Sequence, residues 1–584
     1  MPHAPIAYRV AVDDVHSHHY RVTLTVPQPA TDTVLALPVW IAGSYMVREF
    51  GRHLSGLAAR QGRQARPLEQ LDKTTWRVRC SGRAALVVSY RVYAFDTSVR
   101  AAFLDSRRGF FNGSSLCLRV LGREAGPHRL GLAGLPAGWQ VASAMPPAPG
   151  GGPLDFEAPD YDALVDHPFE LGRFWRGQFQ AGGVPHELVV AGALPGFDGA
   201  RLLADTRRIC EAQIAFWHGP SRSRPPFGRY VFLLNAVEDG YGGLEHRAST
   251  ALIAARRDLP RAGQDTASDG YVTLLGLISH EYFHTWNVKR LKPAELAVLD
   301  HQAENYTRLL WFFEGFTSYY DDLMLLRSGL VDAPRYLKLL AKTVNALAQT
   351  PGRQVQTVAE ASFDAWVKYY RSDENTPNAT VSYYMKGALV ALACDLTLRQ
   401  HGGTLDEVMR GLWARSGGGG PITEADIAAV LAEVAGRPLD AELRDWVHGT
   451  GELPLDTLLP AFGVQLRPEQ AGLAAALGLR LSEGPVTGVQ VRSVLAGSAA
   501  MRAGVSAGDE LLAVDGWRIR RLEDAQAWLQ RDEAFELLLV RDQRVLTLRV
   551  QPAPDTALAG NLALLLQDKP GRTVAALRRG WLGA

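Results

Sequence analysis

Cysteine is scarce in this chain. Its four residues, Cys80, Cys117, Cys210 and Cys394, lie far apart and form no C-x-x-C pair, which argues against a disulfide framework and against a thiolate zinc site. Each reads as a small, reduced, buried apolar side chain. An excess of charge is missing too: 62 basic residues against 61 acidic ones leave a formal net charge of +1. That balance gives no electrostatic footprint for nucleic acid or for an anionic membrane, and neither is expected as a partner. No apolar run reaches the roughly 18–20 residues that a spanning helix needs. The opening MPHAPIAYRVAVDDVHSHHY places no basic flank before an apolar core, so no secretory signal is expected and the cytoplasm is the expected compartment. No segment recurs with a period of about 20–50 residues, which argues against a repeat array.

What is present is a chain of 584 residues, long enough for several domains at about 150 residues each. A hydrophobic fraction of 47% with 57 glycines suits globular domains rich in turns. Residues 1–172 read mostly as strand. HYRVTLTVPQ, DTVLALPVWI, TTWRVRCSG and RAALVVSYRVYAF are short β-branched or aromatic runs separated by turn residues, which predicts a β-sandwich-like domain. It ends near the Pro/Gly-rich stretch AMPPAPGGGPLDFEAP. A central domain is assigned to 173–457, where from about residue 180 the pattern turns to long helices. One of them, TEADIAAVLAEVAG, opens on Thr423 with Asp426 three residues on, the spacing of a capping box. Short strands return in a third domain at 458–555, with Asp515-Gly516 marking a tight turn and LEDAQAWLQ a helix. Residues 556–584 remain as an apolar tail without a clear fold, suited to docking on a neighbouring domain.

The most informative segment is His280-Glu281-Tyr282-Phe283-His284, an H-E-x-x-H motif inside the helix-periodic run YVTLLGLISHEYFHTW. Helical residues four apart return to one face, with Cβ atoms about 6 Å from each other. His280 and His284 can therefore share one metal ion, with Glu281 at its edge. Zinc accepts imidazole nitrogen and, in catalytic sites, keeps one position for water. Glu281 is then placed as general base for hydrolysis. Two histidines leave tetrahedral zinc one protein ligand short, and two glutamates compete for that place. Glu304 follows His284 by 20 residues, in the polar stretch AEN; Glu314 follows by 30 and opens the helix WFFEGFTSYYDDL. Phe313, Phe316, Tyr320 and Leu323 recur at helical steps there and pin the element into a core. Helical support favours Glu314, as a metal ligand needs a rigid base. Glu304 is left as a surface carboxylate or as a hydrogen-bond partner of the histidines.

At Glu314 the sequence reaches a family. E-G-x-T/A-S-Y after H-E-x-x-H resembles the gluzincin aminopeptidases of the aminopeptidase N type, in which that glutamate is the third zinc ligand. The resemblance is closer still to the glycyl aminopeptidases, which carry a β-rich N-terminal domain, a thermolysin-like α+β, mostly helical zinc peptidase core and a C-terminal PDZ domain. It rests on PVWIAGSYMVREF (38–50), YGGLEHRAS (241–249), HEYFHTWNVKRLKP (280–293) and LLWFFEGFTSYYDDL (309–323), in the family's order.

The resemblance implies one zinc ion per chain on His280, His284 and Glu314. It also implies an N-terminal-residue peptidase with a preference for glycine or alanine. Glu245, in Gly242-Gly243-Leu244-Glu245, is implied to anchor the substrate's free α-ammonium, although by residue type alone it reads as a turn carboxylate. A fixed carboxylate does so with a charge-assisted hydrogen bond, and the glycines let substrate backbone lie close to the strand. His246 stands where the broader aminopeptidase pattern has asparagine. Tyr384, in Tyr383-Tyr384-Met385-Lys386-Gly387, matches the Y-x-K-G tyrosine that stabilises the oxyanion, with Tyr383 the off-by-one rival. The run Leu477-Gly478-Leu479 resembles the PDZ turn that holds a C-terminal carboxylate, so a C-terminal peptide is an implied second partner. A homo-oligomer stays open. So do two other readings: an endopeptidase tethered to proteins by its PDZ domain, and a PDZ scaffold without activity.

Overall fold

A computed structural model describes residues 4–219, 224–530, 533–552 and 561–583. The chain forms two compact units, Met1–Tyr306 with Ser416–Pro421, and Thr307–Arg415 with Ile422–Ala584. Among the described residues no helix is long and apolar enough to cross a membrane.

The first unit begins β-rich, as the alternating runs predict. Strand His19–Val26 buries Tyr20, Val22, Leu24 and Val26, every second side chain, which is the period of a strand with one face on a core. It lies inside a seven-stranded sheet ordered Asp155–Ala158, His128–Ala133, Ile6–Asp14, His19–Val26, Leu86–Tyr93, Leu54–Gln61, Gln64–Arg66. Only Ile6–Asp14 and His128–Ala133 in it run parallel. A four-stranded sheet containing Asp32–Ala36 and Thr75–Arg79 adds Leu35, Trp76 and Val78 to the same core. The two sheets make the expected sandwich. The buried stretch Leu116–Leu118 lacks a ladder for its carbonyls, and three tyrosines supply donors. The hydroxyls of Tyr90, Tyr161 and Tyr8 donate to the carbonyls of Leu116, Cys117 and Leu118, each at 2.7 Å, so no buried acceptor is orphaned there.

The same unit continues into a five-stranded mixed sheet ordered Trp175–Ala181, Val184–Ala191, Tyr230–Val237, Ser249–Ala255, Tyr241–Glu245. This departs from the expectation of long helices from about residue 180. The inner strands are parallel and buried on both faces, so they read as unbroken apolar runs that periodicity cannot tell from buried helix. Tyr241–Glu245 pairs antiparallel with Ser249–Ala255 and forms the sheet edge. Two helices pack here. Gly199–His218 is joined to Asp269–Phe283 by Gln213, whose amide donates to Ser279 O and Oγ at 2.8 and 2.9 Å.

The second unit is helical, then β. Gly315–Arg327 and Tyr383–Gln400 cross at two glycines: a Cβ on Gly315 would overlap the Gly387 backbone, and one on Gly387 the Trp311 carbonyl. Thr423 and Asp426 form the predicted capping box of Glu424–Ala435. The C-terminal domain's sheet is ordered Leu479–Gly484, Gly488–Val494, Glu510–Val514, Phe535–Arg541, Arg544–Val550. Asp515 and Gly516 take φ 48° and 77°, the left-handed pair of a tight hairpin turn. The expected helix LEDAQAWLQ is only a short 3-10 segment, Leu522–Ala527. The tail has more structure than its sequence suggests. Asn561–Leu566 pairs with Val464–Glu469 apart from that sheet, and helix Arg572–Leu582 buries Trp581 and Leu582. Asn345 exchanges two hydrogen bonds with Leu562, and the Trp581 ring nitrogen donates to the Tyr319 hydroxyl at 3.1 Å. The expected boundary at 555/556 lies outside the described residues.

Candidate functional site

Helix Asp269–Phe283 starts at Ser268, whose hydroxyl accepts the Tyr271 N–H at 3.0 Å. Its core face is fixed by Tyr282, packed edge-on against Tyr230 at 4.8 Å and hydrogen-bonded through its hydroxyl to His186 Nε2 at 2.8 Å. His280 and His284 sit at its last turn and its C-terminal cap. Their Nε2 atoms lie 3.0 Å apart with ring planes 86° from each other. His284 Nδ1 is 2.8 Å from the Asn287 carbonyl. A carbonyl only accepts, so Nδ1 carries the proton and Nε2 turns its lone pair towards His280.

Glu314 is 2% exposed and links the short helix Leu310–Phe313 to Gly315–Arg327. Its N–H donates to Leu310 O and its carbonyl accepts from Ser318, both at 2.8 Å, so the backbone holds it on both sides. Among the described residues, His280, His284 and Glu314 form a group able to hold a metal ion: one ligand atom from each, all within 4.8 Å of one another. Two neutral nitrogens and one carboxylate oxygen match the donor chemistry of zinc. Glu304 is exposed in a loop and outside that group.

Glu281 is 5% exposed. Gly243 of the edge strand lies directly against its carboxylate, which a Cβ there would overlap. Gly242 precedes it with φ 155° and Tyr241 is largely exposed, so this strand edge is accessible. Glu245 ends the strand at 4% exposure, covered by Gly43 of the β-rich domain, where a Cβ would meet its carboxylate. Its Oε1 is buried without a hydrogen-bond partner among the described residues. A buried carboxylate oxygen left so is costly unless a cation or donor arrives.

Tyr384 stands one turn before Gly387. Burial, and next the Glu314 carboxylate, push its phenol well above the ordinary tyrosine range, so it keeps its O–H. Tyr383 is fully buried and stacks on Tyr384 at 4.8 Å. Tyr369, 4.8 Å from Tyr383, also feels Glu314: burial foremost, and that charge, raise its phenol. Sequence reasoning missed Tyr369 and Arg100, whose Nη2 donates to the Gly243 carbonyl at 3.2 Å. No local pattern marks either of them, because their partners are distant in sequence.

Two of the basic residues after the histidines are committed elsewhere. Lys289 pairs with Asp166 at 2.7 Å, and Arg290 donates to the carbonyls of Arg247, Thr285 and Pro226. Burial opposes ionisation of Asp166, yet Lys289 and His246 hold its carboxyl well below the usual range. His246 is itself lowered, by burial above all, and faces Asp166 at 3.4 Å.

The M61 glycyl aminopeptidase family matches residues 273–390, the Peptidase M61 N-terminal domain residues 7–173, and a PDZ domain residues 490–541. No curated protein matches the sequence. A solved aminopeptidase N family protein from Idiomarina loihiensis is 36% identical, with a TM-score of 0.93 over 99% of this chain and 100% of that one. An M1 zinc metallopeptidase from Deinococcus radiodurans is 16% identical, with a TM-score of 0.46 over 78% of this chain and 96% of its own. A variant of that enzyme bound to Tyr-Ser-Ala gives 15% and 0.47 over the same shares.

Proposed function

Because the chain belongs to the M61 glycyl aminopeptidase family and is a metallo-aminopeptidase, we propose that it removes the N-terminal residue of peptides with one zinc ion held by His280, His284 and Glu314. The carrying observation is the convergence of those three donor atoms within 4.8 Å. A zinc ion there supplies Lewis acidity, drawing charge from the scissile carbonyl and making water a stronger acid. Glu281 takes the proton of the attacking water on its carboxylate and hands it to the departing amine. Its contact with Gly243 sets that transfer beside the strand along which substrate backbone lies. Tyr384 donates its O–H to the oxyanion, and its raised pKa supports that role. Glu245 receives the α-ammonium, a reading supported by its buried, unpartnered oxygen. The preference for glycine or alanine comes from the family.

The PDZ domain is assigned a C-terminal peptide as ligand. Leu479–Gly484 is an edge strand open to β-augmentation, preceded by Gly478 in the left-handed region.

The test uses Glu281→Gln. It retains zinc by metal analysis and loses peptidase turnover by about 10³-fold or more, the scale of a removed general base. A chelator abolishes wild-type activity and zinc restores it. N-acetylating the peptide stops cleavage; continued cleavage of the acetylated peptide would establish an endopeptidase instead.

A further inference from the structure

The first unit holds a cavity of about 760 Å³ whose lining includes none of the residues assigned above to peptide hydrolysis. That volume is the size of a small-molecule pocket. Its walls come from the β-rich domain and from the central sheet.

Charge on the lining is unbalanced. Arg108 is satisfied by a two-bond ion pair with Glu170, both contacts at 2.7 Å. Asp105 spends one carboxylate oxygen on the backbone N–H groups of Arg107 and Arg108. Three further guanidinium groups have no carboxylate partner among the described residues. Arg256 donates only to the Gly192 carbonyl and Arg173 only to that of Ala137, while the Arg107 side chain meets no acceptor.

A second observation points to a ligand. Strand Tyr230–Val237 turns Val231, Leu233, Asn235 and Val237 to one face, and its apolar members pack into one cluster. Asn235 breaks that row. It is 7% exposed, lines the cavity, and its amide has no partner among the described residues. That amide keeps solvent contact in the cavity, so its donor and acceptor are both offered to whatever fills it.

We propose that this cavity binds a small organic anion with two or more carboxylate or phosphate groups. Guanidinium forks match either oxyanion with paired hydrogen bonds. Arg107 and Arg173 receive it at the exposed mouth, Arg256 and Asn235 hold it further in, and the Trp139 ring faces its apolar part. Bridging two structural parts, the anion raises thermal stability by mass action.

Calorimetry and thermal unfolding of the zinc-loaded full chain, titrated with citrate and with pyrophosphate against sodium chloride at equal ionic strength, test this. Saturable one-to-one binding is expected, weakened by about tenfold or more in Asn235→Leu and in the double variant Arg107→Ala/Arg173→Ala, whose positions are exposed. Turnover without the anion stays at the wild-type value in both variants. Binding of citrate alone assigns a carboxylate ligand, of pyrophosphate alone a phosphorylated one, and of both the shared oxyanion chemistry. Absence of saturable binding at millimolar concentration, or equal binding by the double variant, overturns the proposal. Should Asn235→Leu fail to fold, the double variant decides.

Discussion

Gly243 shows how a missing side chain serves the site: without a Cβ, the edge strand lets the Glu281 carboxylate rest on its backbone. At this scale the hydroxyl of Tyr384 is the most direct handle. Tyr384→Phe removes one hydrogen-bond donor and leaves the ring stack with Tyr383 and Tyr369 in place. Its kcat is expected to fall about 10²-fold with KM and zinc content little changed; an unchanged kcat would transfer the role to another donor. His186, beneath the histidine helix, offers a stability test. Burial pushes its pKa down to about 4, against about 6.5 in an unfolded chain. The folded state thus favours the neutral ring. Its contribution, roughly 3 kcal/mol, is present above about pH 6.5 and is lost as pH falls towards 4. His186→Phe keeps a ring against Phe179, which stacks on His186 at 5.0 Å. In chelator-treated protein its unfolding midpoint should fall less than the wild type's between pH 7 and 5.

Among elements, the crossing at Gly315 and Gly387 carries the most weight. Sequence presents Glu314-Gly315 and Lys386-Gly387 as separate motifs; packing makes them one joint, since each glycine occupies room the other helix needs. Glu314 and Tyr384 sit beside it on the two helices, so their spacing follows from backbone contact. Gly387→Ala is expected to cost about 1–3 kcal/mol of stability by overpacking, and to weaken zinc binding measured by competition with a chromophoric chelator. Wild-type affinity in a destabilised variant would separate the joint from the metal site. Helix capping was legible locally, as Thr423 and Asp426 show. The parallel strands were not, because burial on both faces erases alternation.

Across the second unit, the last residues behave as part of the body. Leu564, Trp581 and Leu582 are buried, and Tyr319 receives the Trp581 ring N–H. Burying such side chains contributes roughly 1.5–3 kcal/mol each. A chain shortened to end before Asn561 should therefore unfold at a temperature several degrees lower and be nicked faster by protease within Ala333–Ala348, where Asn345 loses both bonds to Leu562. An unshifted midpoint would show the tail to be dispensable. Its pairing with Val464–Glu469, nearly a hundred positions earlier, leaves no trace in local pattern.

Sequence alone determined the chemistry-bearing helix, because H-E-x-x-H needs only helical periodicity to put two imidazoles on one face. It also determined the β-rich start, through alternation, and the preference for Glu314 over Glu304, through helical support. Tertiary structure decided what depends on distant partners. It turned His284 Nε2 inward through the Asn287 carbonyl, buried Glu245 beneath Gly43, and set Glu281 on Gly243. Periodicity reports which face of an element is apolar; it carries no information on which other element that face will meet.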